Sequence, residues 1–244
     1  MCSNDNRSIY RSLYDTSELI YTNIKLGFAD ISIGAHTDVS KIAKTLLSQA
    51  YKEISDHILV YPQFKDALSP LPVKEGFSLQ KYKVLEAMYS SSNIANVGPM
   101  AAVAGAVAQY IGRGIKDADE IIVENGGDIY LRSVKERIVL VYAGNSPLSL
   151  KVGIKLPPGE WGICTSSGTF GHSLSFGFAD AALVVSHDTA LADAVATKLS
   201  NEIINESSLE PALDYAINIP GIKGVLGIVG SVLGAAGDIE LVRI

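Results

Sequence analysis

A chain of 244 residues, 48% hydrophobic and 19% charged, can bury a sizeable core as one large domain or two small intimate ones. Its formal charge of −6, with no long run of Lys or Arg, argues against nucleic acid or an anionic membrane as partner, because binding phosphates needs a basic face. The two cysteines, Cys2 and Cys164, cannot make a disulfide framework and fit a reducing compartment.

The N-terminus is polar and carries no apolar signal-like run. The most apolar stretch, Gly224 to Ala236, falls short of the ~20 residues of a spanning helix and reads as a core strand pair. The expectation is a cytoplasmic protein with one domain over residues 1–244, of which residues 1–10 are flexible.

The first patterned segment alternates Thr22, Ile24, Leu26 and Phe28 with more polar neighbours and resumes at Ile31 and Ile33, the period of a hairpin or bent strand. Asp38 or Ser40 can cap a helix in which Ile42, Leu46, Leu47, Ala50, Ile54 and Ile58 recur at helical spacing. Pro62, Pro70 and Pro72 mark an irregular connection around Phe64, followed by a short helix from Tyr82 to Tyr89. A second half begins at Ser91. It holds a helix from Pro99 to about Gly112 and strands at Ile121 to Val123, Ile129 to Val134, Arg137 to Ala143, Leu150 to Leu156 and Trp161 to Cys164. A strand at Leu183 to Val185 then precedes a helix from Asp188 to about Ile204. Gly224 to Val232 and Ile239 to Arg243 close the chain as strands. The pattern is α+β, mixed and mostly antiparallel sheets covered by helices.

Four constellations carry chemistry. On the helix after Asp188, Leu191, Val195 and Leu199 share one side, and Asp193 and Thr197, four apart, share the other. By periodicity this polar pair is a solvated stripe; a carboxylate beside a hydroxyl also suits a hard cation such as Mg²⁺. Glu124-Asn125-Gly126-Gly127-Asp128 follows an apolar strand. It reads as a hairpin turn, or as a glycine pair whose peptide N–H groups approach an anion. Gly98-Pro99-Met100 opens a helix rich in Ala and Gly, tightly packed in either case, whose free N–H groups can face an anion. Cys164-Thr165-Ser166-Ser167-Gly168-Thr169, with His172 beyond, is dense in hydroxyls. Cys164 reads as an ordinary buried cysteine; as a nucleophile it would need His172 or His187 as base.

In order and spacing, the run from Asn125 to Ile129, then Thr165-Ser166-Ser167-Gly168, then Ala192-Asp193-Ala194-Val195-Ala196-Thr197 resembles the core of the ApbE-like superfamily, the group of the FAD:protein FMN transferases. Asn96 to Ala106, Thr37-Asp38 and Pro62-Gln63-Phe64 resemble an uncharacterised archaeal and bacterial branch of it, so the likeness covers most of the chain after about Tyr10. The resemblance implies an ApbE-like fold and a small-molecule nucleotide partner, with Mg²⁺ and FAD or a related nucleotide as cofactors. Transferases of the group pass an FMN-phosphoryl group to a protein Thr and release AMP. The resemblance puts Asp193 and Thr197 at the catalytic and metal positions, with a backbone carbonyl near Ala101 or Ala102 as a third ligand. It sets Gly98, Met100, Asn125, Gly126, Gly127, Asp128, Thr165, Ser166, Ser167 and Gly168 against the nucleotide.

This chain lacks the Lys that transferases carry after the glycine opening the Ala/Gly helix, and its loop around His172 is short. FMN transfer or FAD pyrophosphatase activity is therefore the narrower implication, and nucleotide binding the broader one. The branch is also linked to sulfide assimilation towards homocysteine, and a non-catalytic nucleotide-binding module is a third reading. A homodimer fits the general preference for two-fold assembly.

Overall fold

The computed structural model describes residues 18–27, 29–168 and 177–244. Strands β1 (Ile20–Leu26) and β2 (Ala29–Ala35) form the expected hairpin, Ile24 opposite Ile31. Helix α1 (Ser40–Val60) follows, with Asp38 Oδ1 accepting the Ser40 N–H at 2.8 Å. Its most buried stripe is Ala43, Leu47, Ala50 and His57. Leu46, Ile54 and Ile58 flank that stripe and Ile42 is exposed, so the face is rotated by about one residue from the aliphatic pattern.

The proline-rich connection contains a single-turn helix, α2 (Gln63–Asp66), that buries Phe64 completely. Helix α3 (Lys83–Ala95) runs past Tyr89 and straight through Ser91, correcting the short helix and the break expected there. Ser91 and Ser92 are buried, and Ser92 Oγ donates to Val97 O at 2.6 Å, so serine polarity is absorbed internally. Asn96, at φ 55°, ends α3 in the left-handed conformation that Asn tolerates.

A 3-10 turn (Pro99–Ala102) leads into α4 (Val103–Gly114). The strands that follow are β3 (Ile121–Asn125), β4 (Asp128–Ser133), β5 (Arg137–Leu140), β6 (Val152–Leu156), β7 (Gly159–Ser166) and β8 (Ala181–Ser186). Helix α5 (Thr189–Glu202) comes next, then α6 (Leu209–Ile217), β9 (Ile222–Val229), β10 (Val232–Gly237) and β11 (Glu240–Arg243). Helix α6 went unread in the sequence. The apolar run from Gly224 is two strands folded back at Gly230, as a core strand pair requires; the single strand drawn to Val232 is corrected to this hairpin.

Among the described residues, eight strands form one antiparallel sheet in the order β1-β2-β3-β4-β7-β8-β9-β10, and three form a second in the order β11-β6-β5. All helices of the main core lie on one face of the large sheet, packed on Ile31, Ile33, Val123, Tyr130, Cys164 and Val184. The other face buries Leu131, Ile163, Leu183 and Val185 against Ile154 and Leu156 of the small sheet. Strand β8, Ala-Ala-Leu-Val-Val-Ser, is buried at every position because both faces of the sheet are covered there. No single helix among the described residues is long and apolar enough to cross a membrane.

Candidate functional site

Helix α5 differs most from the polar-stripe reading. Wedged against α3, α4, β7 and β8, it is buried on nearly every side, Asp193 included (8% exposed). The solvated stripe is overturned, because periodicity reports which residues share a face and not whether a neighbour covers it. Asp188 caps the helix, accepting the Leu191 N–H at 3.1 Å. Asp193 Oδ2 accepts the Gly105 N–H at 2.8 Å, and its carboxyl also draws on the Ala104 N–H. A Cβ on Gly105 would stand 2.7 Å from Asp193 Cβ and 2.4 Å from Thr189 O. The Ala/Gly helix is thus small at this turn so that α5 can come close enough for the contact. Thr197, half-buried, sits one turn further along α5.

The β3–β4 connection is the two-residue hairpin read from Asn-Gly. Asn125 pairs with Asp128, and Gly126 and Gly127 take φ of 72° and 109°. The turn is also tied to the same stretch of α4, since Asn125 Nδ2 donates to Ala104 O at 3.1 Å. Glu124, quoted in the sequence but given no role, accepts the Gly127 N–H at 2.9 Å and is itself buried. Asp128 lies directly opposite Cys164 across the β4–β7 ladder. Asp193, Asp128, Asn125 and the two-glycine turn therefore meet around Ala104 and Gly105, joining three of the four sequence constellations.

The electrostatics of this cluster follow from burial. Desolvation, with the Glu124 charge nearby, pushes the Asp128 carboxyl up to about 7 despite bonds from Cys164 and the Thr165 N–H. Desolvation and then the Asp128 charge raise Asp193 well above the ordinary carboxylate range. Cys164 is fully buried, its Sγ donating to Thr189 O at 3.4 Å, and its thiol is pushed well up by burial and by both acids. A thiolate nucleophile is disfavoured there. His187, the base within the described residues, has its Nδ1 on Glu160 O at 2.7 Å and its ring tilted 33° against that of Trp161, centroids 4.2 Å apart, at the opposite end of β7.

The remaining expected residues divide. Ser167 Oγ and Gly168 N donate to Ala179 O at 3.2 and 2.9 Å, closing the neck of the β7–β8 connection. Gly98 is demanded by packing, since a Cβ there would meet Ala67 O at 1.7 Å. Met100 and Ala101 are half-buried against the main core. Thr165, half-buried, carries the N–H that reaches Asp128. Ser166 is buried and its Oγ has no hydrogen-bond partner among the described residues. Cys2, Thr169 and His172 lie outside the described residues, as do residues 1–10.

Two buried acids with oxygen-bearing neighbours fit a hard divalent cation, which would offset the unfavourable proximity of their charges. Among the described residues no three His, Cys, Asp or Glu side chains gather as a metal-ligand set, so such a cation would depend on hydroxyl and carbonyl oxygens as well.

The family model described as "AbpE bacteria" matches residues 11–215. The chain belongs to the ApbE-like superfamily. Within it, a UPF0280 protein of Methanococcus aeolicus is 36% identical over 229 residues, covering 88% of this chain and 90% of that protein. UPF0280 proteins of Methanocaldococcus jannaschii (38% identical, 83% of this chain and 84% of that one) and Archaeoglobus fulgidus (37%, 82% and 83%) match similarly. Among solved structures, the flavin transferase ApbE of Vibrio cholerae superposes with a TM-score of 0.60 at 13% identity, covering 91% of this chain and 98% of that one. The flavinyl transferase ApbE of Pseudomonas stutzeri, in its apo form, gives 0.54 at 10%, covering 89% and 94%. At these identities the ApbE-like chain shares the transferases' fold, and the α+β expectation stands.

Proposed function

We propose that this ApbE-like protein binds a flavin or adenine nucleotide together with Mg²⁺ and acts on its diphosphate, as an FMN transferase or an FAD pyrophosphatase. The observation that carries the reading is the meeting of Asp193, Asp128 and the Asn125–Asp128 turn at Ala104 and Gly105. The fold shared with flavin transferases supports the choice of nucleotide.

In this reading Asp193, Thr197 and a carbonyl at Ala101 hold the cation, and Asp193 is oriented for it by the Gly105 N–H. Bound there, Mg²⁺ supplies charge stabilisation to pyrophosphate oxygens and to the leaving phosphate. The Gly126-Gly127 turn, with no side chain between its backbone and the ligand, lets a phosphate or ribose approach closely. Gly98 and Met100 open the helix on the same side, and Thr165 to Gly168 border the ligand, with Ser167 and Gly168 fixing that loop through Ala179. The carboxyl groups lie in the core rather than on it, where a charge interaction with a bound cation is stronger than in water.

Mass spectrometry of the small molecule released on denaturing purified protein tests the assignment, and FAD or AMP is the expected product. With added FAD and Mg²⁺, cleavage should occur and fall at least 100-fold in Asp193→Asn. Tight binding without single-turnover cleavage would instead indicate a nucleotide-holding module, and absence of both would refute the reading.

A further inference from the structure

The sequence motifs account for Asp193 but give Asp128 and Ser166 no task beyond lying beside the nucleotide. We infer that the Asp128 carboxylate and the Ser166 hydroxyl, both presented by the sheet, face Asp193 and serve as further oxygen ligands of the divalent cation. This rests on the cation-binding reading above and assigns that site ligands from the sheet as well as from the helices.

Strand geometry puts the groups together. Asp128 and Cys164 are direct cross-strand partners, and Cys164 faces the helices, with its Sγ on the Thr189 carbonyl of α5. Side chains two apart on a strand share a face, so Ser166 points the same way as Cys164, towards α5. Continuing the register from Asp128 opposite Cys164 brings Ser166 level with the two-glycine turn. Asp193 reaches the same place from the helix side, close enough for the Asp128 charge to act on it.

Two independent features indicate a missing partner. The first is a pair of carboxyl groups, each 8% exposed, with no cationic side chain on either among the described ion pairs. The second is Ser166 Oγ, which is buried and makes no hydrogen bond among the described residues, although a buried hydroxyl ordinarily finds one. Hydrogen bonds already made occupy several other polar atoms nearby, although Thr189 Oγ1, one turn before Asp193, is also buried with no partner among the described residues. Asn125 is on Ala104, Glu124 on Gly127 and Ser167 on Ala179. The groups without an opposite charge or a partner are all oxygen, in two carboxyl groups that accept only neutral donors and in buried hydroxyls, which is donor chemistry for a small hard cation and not for a soft metal.

The test is Mn²⁺ binding by the protein alone, followed by electron paramagnetic resonance, with thermal melts in Mg²⁺ or EDTA alongside. Wild type should bind Mn²⁺, Asp193→Asn should not, Asp128→Asn should bind at least tenfold more weakly, and Ser166→Ala several-fold more weakly. Asp128→Asn should also melt higher than wild type in EDTA, because one buried charge is gone, yet gain less from Mg²⁺. A purely structural Asp128 would lower both melts equally. Wild-type Mn²⁺ affinity in Asp128→Asn, with binding lost in Asp193→Asn, overturns the inference and spares the broader reading. No Mn²⁺ binding by wild type overturns both.

Discussion

At the scale of single residues, the core dictates reactivity. Cys164 is walled in by Asp128, Asp193 and the Thr189 carbonyl, so in the folded protein it should resist thiol reagents at pH 8 and react only on unfolding. Cys164→Ala should leave nucleotide and cation binding within about twofold, measured by titration, at a cost of roughly 1 kcal/mol in stability. Gly105→Ala should behave oppositely. The added methyl has no room between Thr189 O and Asp193, so about 1–3 kcal/mol of stability and most cation binding should go together.

His57 gives a pH signature away from the site. Packed among Phe64, Phe77 and Tyr89 with its Nε2 2.9 Å from Tyr89 Oη, it is held below its ordinary value of 6.5 by burial. The stabilisation is therefore present above about pH 6.5, and is lost as acid protonates the unfolded chain more readily than the folded one. Asp128 acts in the opposite sense: raised to about 7, it favours the fold at low pH and ceases to as pH rises through that value. Melting curves from pH 7.5 to 5.5 should thus decline more steeply in wild type than in His57→Gln, the difference isolating the imidazole.

At the scale of elements, helix α3 is capped from elsewhere rather than by its own sequence. No side chain at its start caps α3; Glu53 of α1, half-buried and raised by desolvation, accepts the Leu85 N–H at 2.8 Å. Glu53→Ala should destabilise by about 1 kcal/mol in chemical denaturation, as loss of a helix cap does, without touching the site.

Such contacts explain what the sequence could and could not reveal. The β1–β2 hairpin, the Asn-Gly turn and both long helices were legible because period and turn chemistry are local. The burial of Asp193 was not, because it depends on α3 and α4, more than eighty residues away in sequence for Gly105. Helix α6 was hidden because its apolar residues, Leu209, Ala212, Leu213 and Ala216, form a narrow stripe in a segment only nine residues long. Glu124 was visible as a charge after an apolar strand, an uncommon place for one, and that signal could have flagged it.

At the scale of the whole molecule, two cores share one sheet but not one task. The candidate site belongs wholly to the helical face, while Ile154, Leu156 and Leu131 hold the small sheet to the other. Ile154→Ala should cost about 2–5 kcal/mol in stability, the usual range for emptying a buried aliphatic position, while leaving Mn²⁺ affinity of the remaining folded protein unchanged. Weakened Mn²⁺ binding in that variant would mean that the two faces are coupled through the strands.

The enclosure of α5 carries one more consequence. A helix packed against α3, α4, β7 and β8 cannot swing aside without exposing the hydrophobic interior. Its amides should be among the slowest in the molecule to exchange with deuterium, and a bound nucleotide should change them little. Recognition would then operate by selection against a preformed shape.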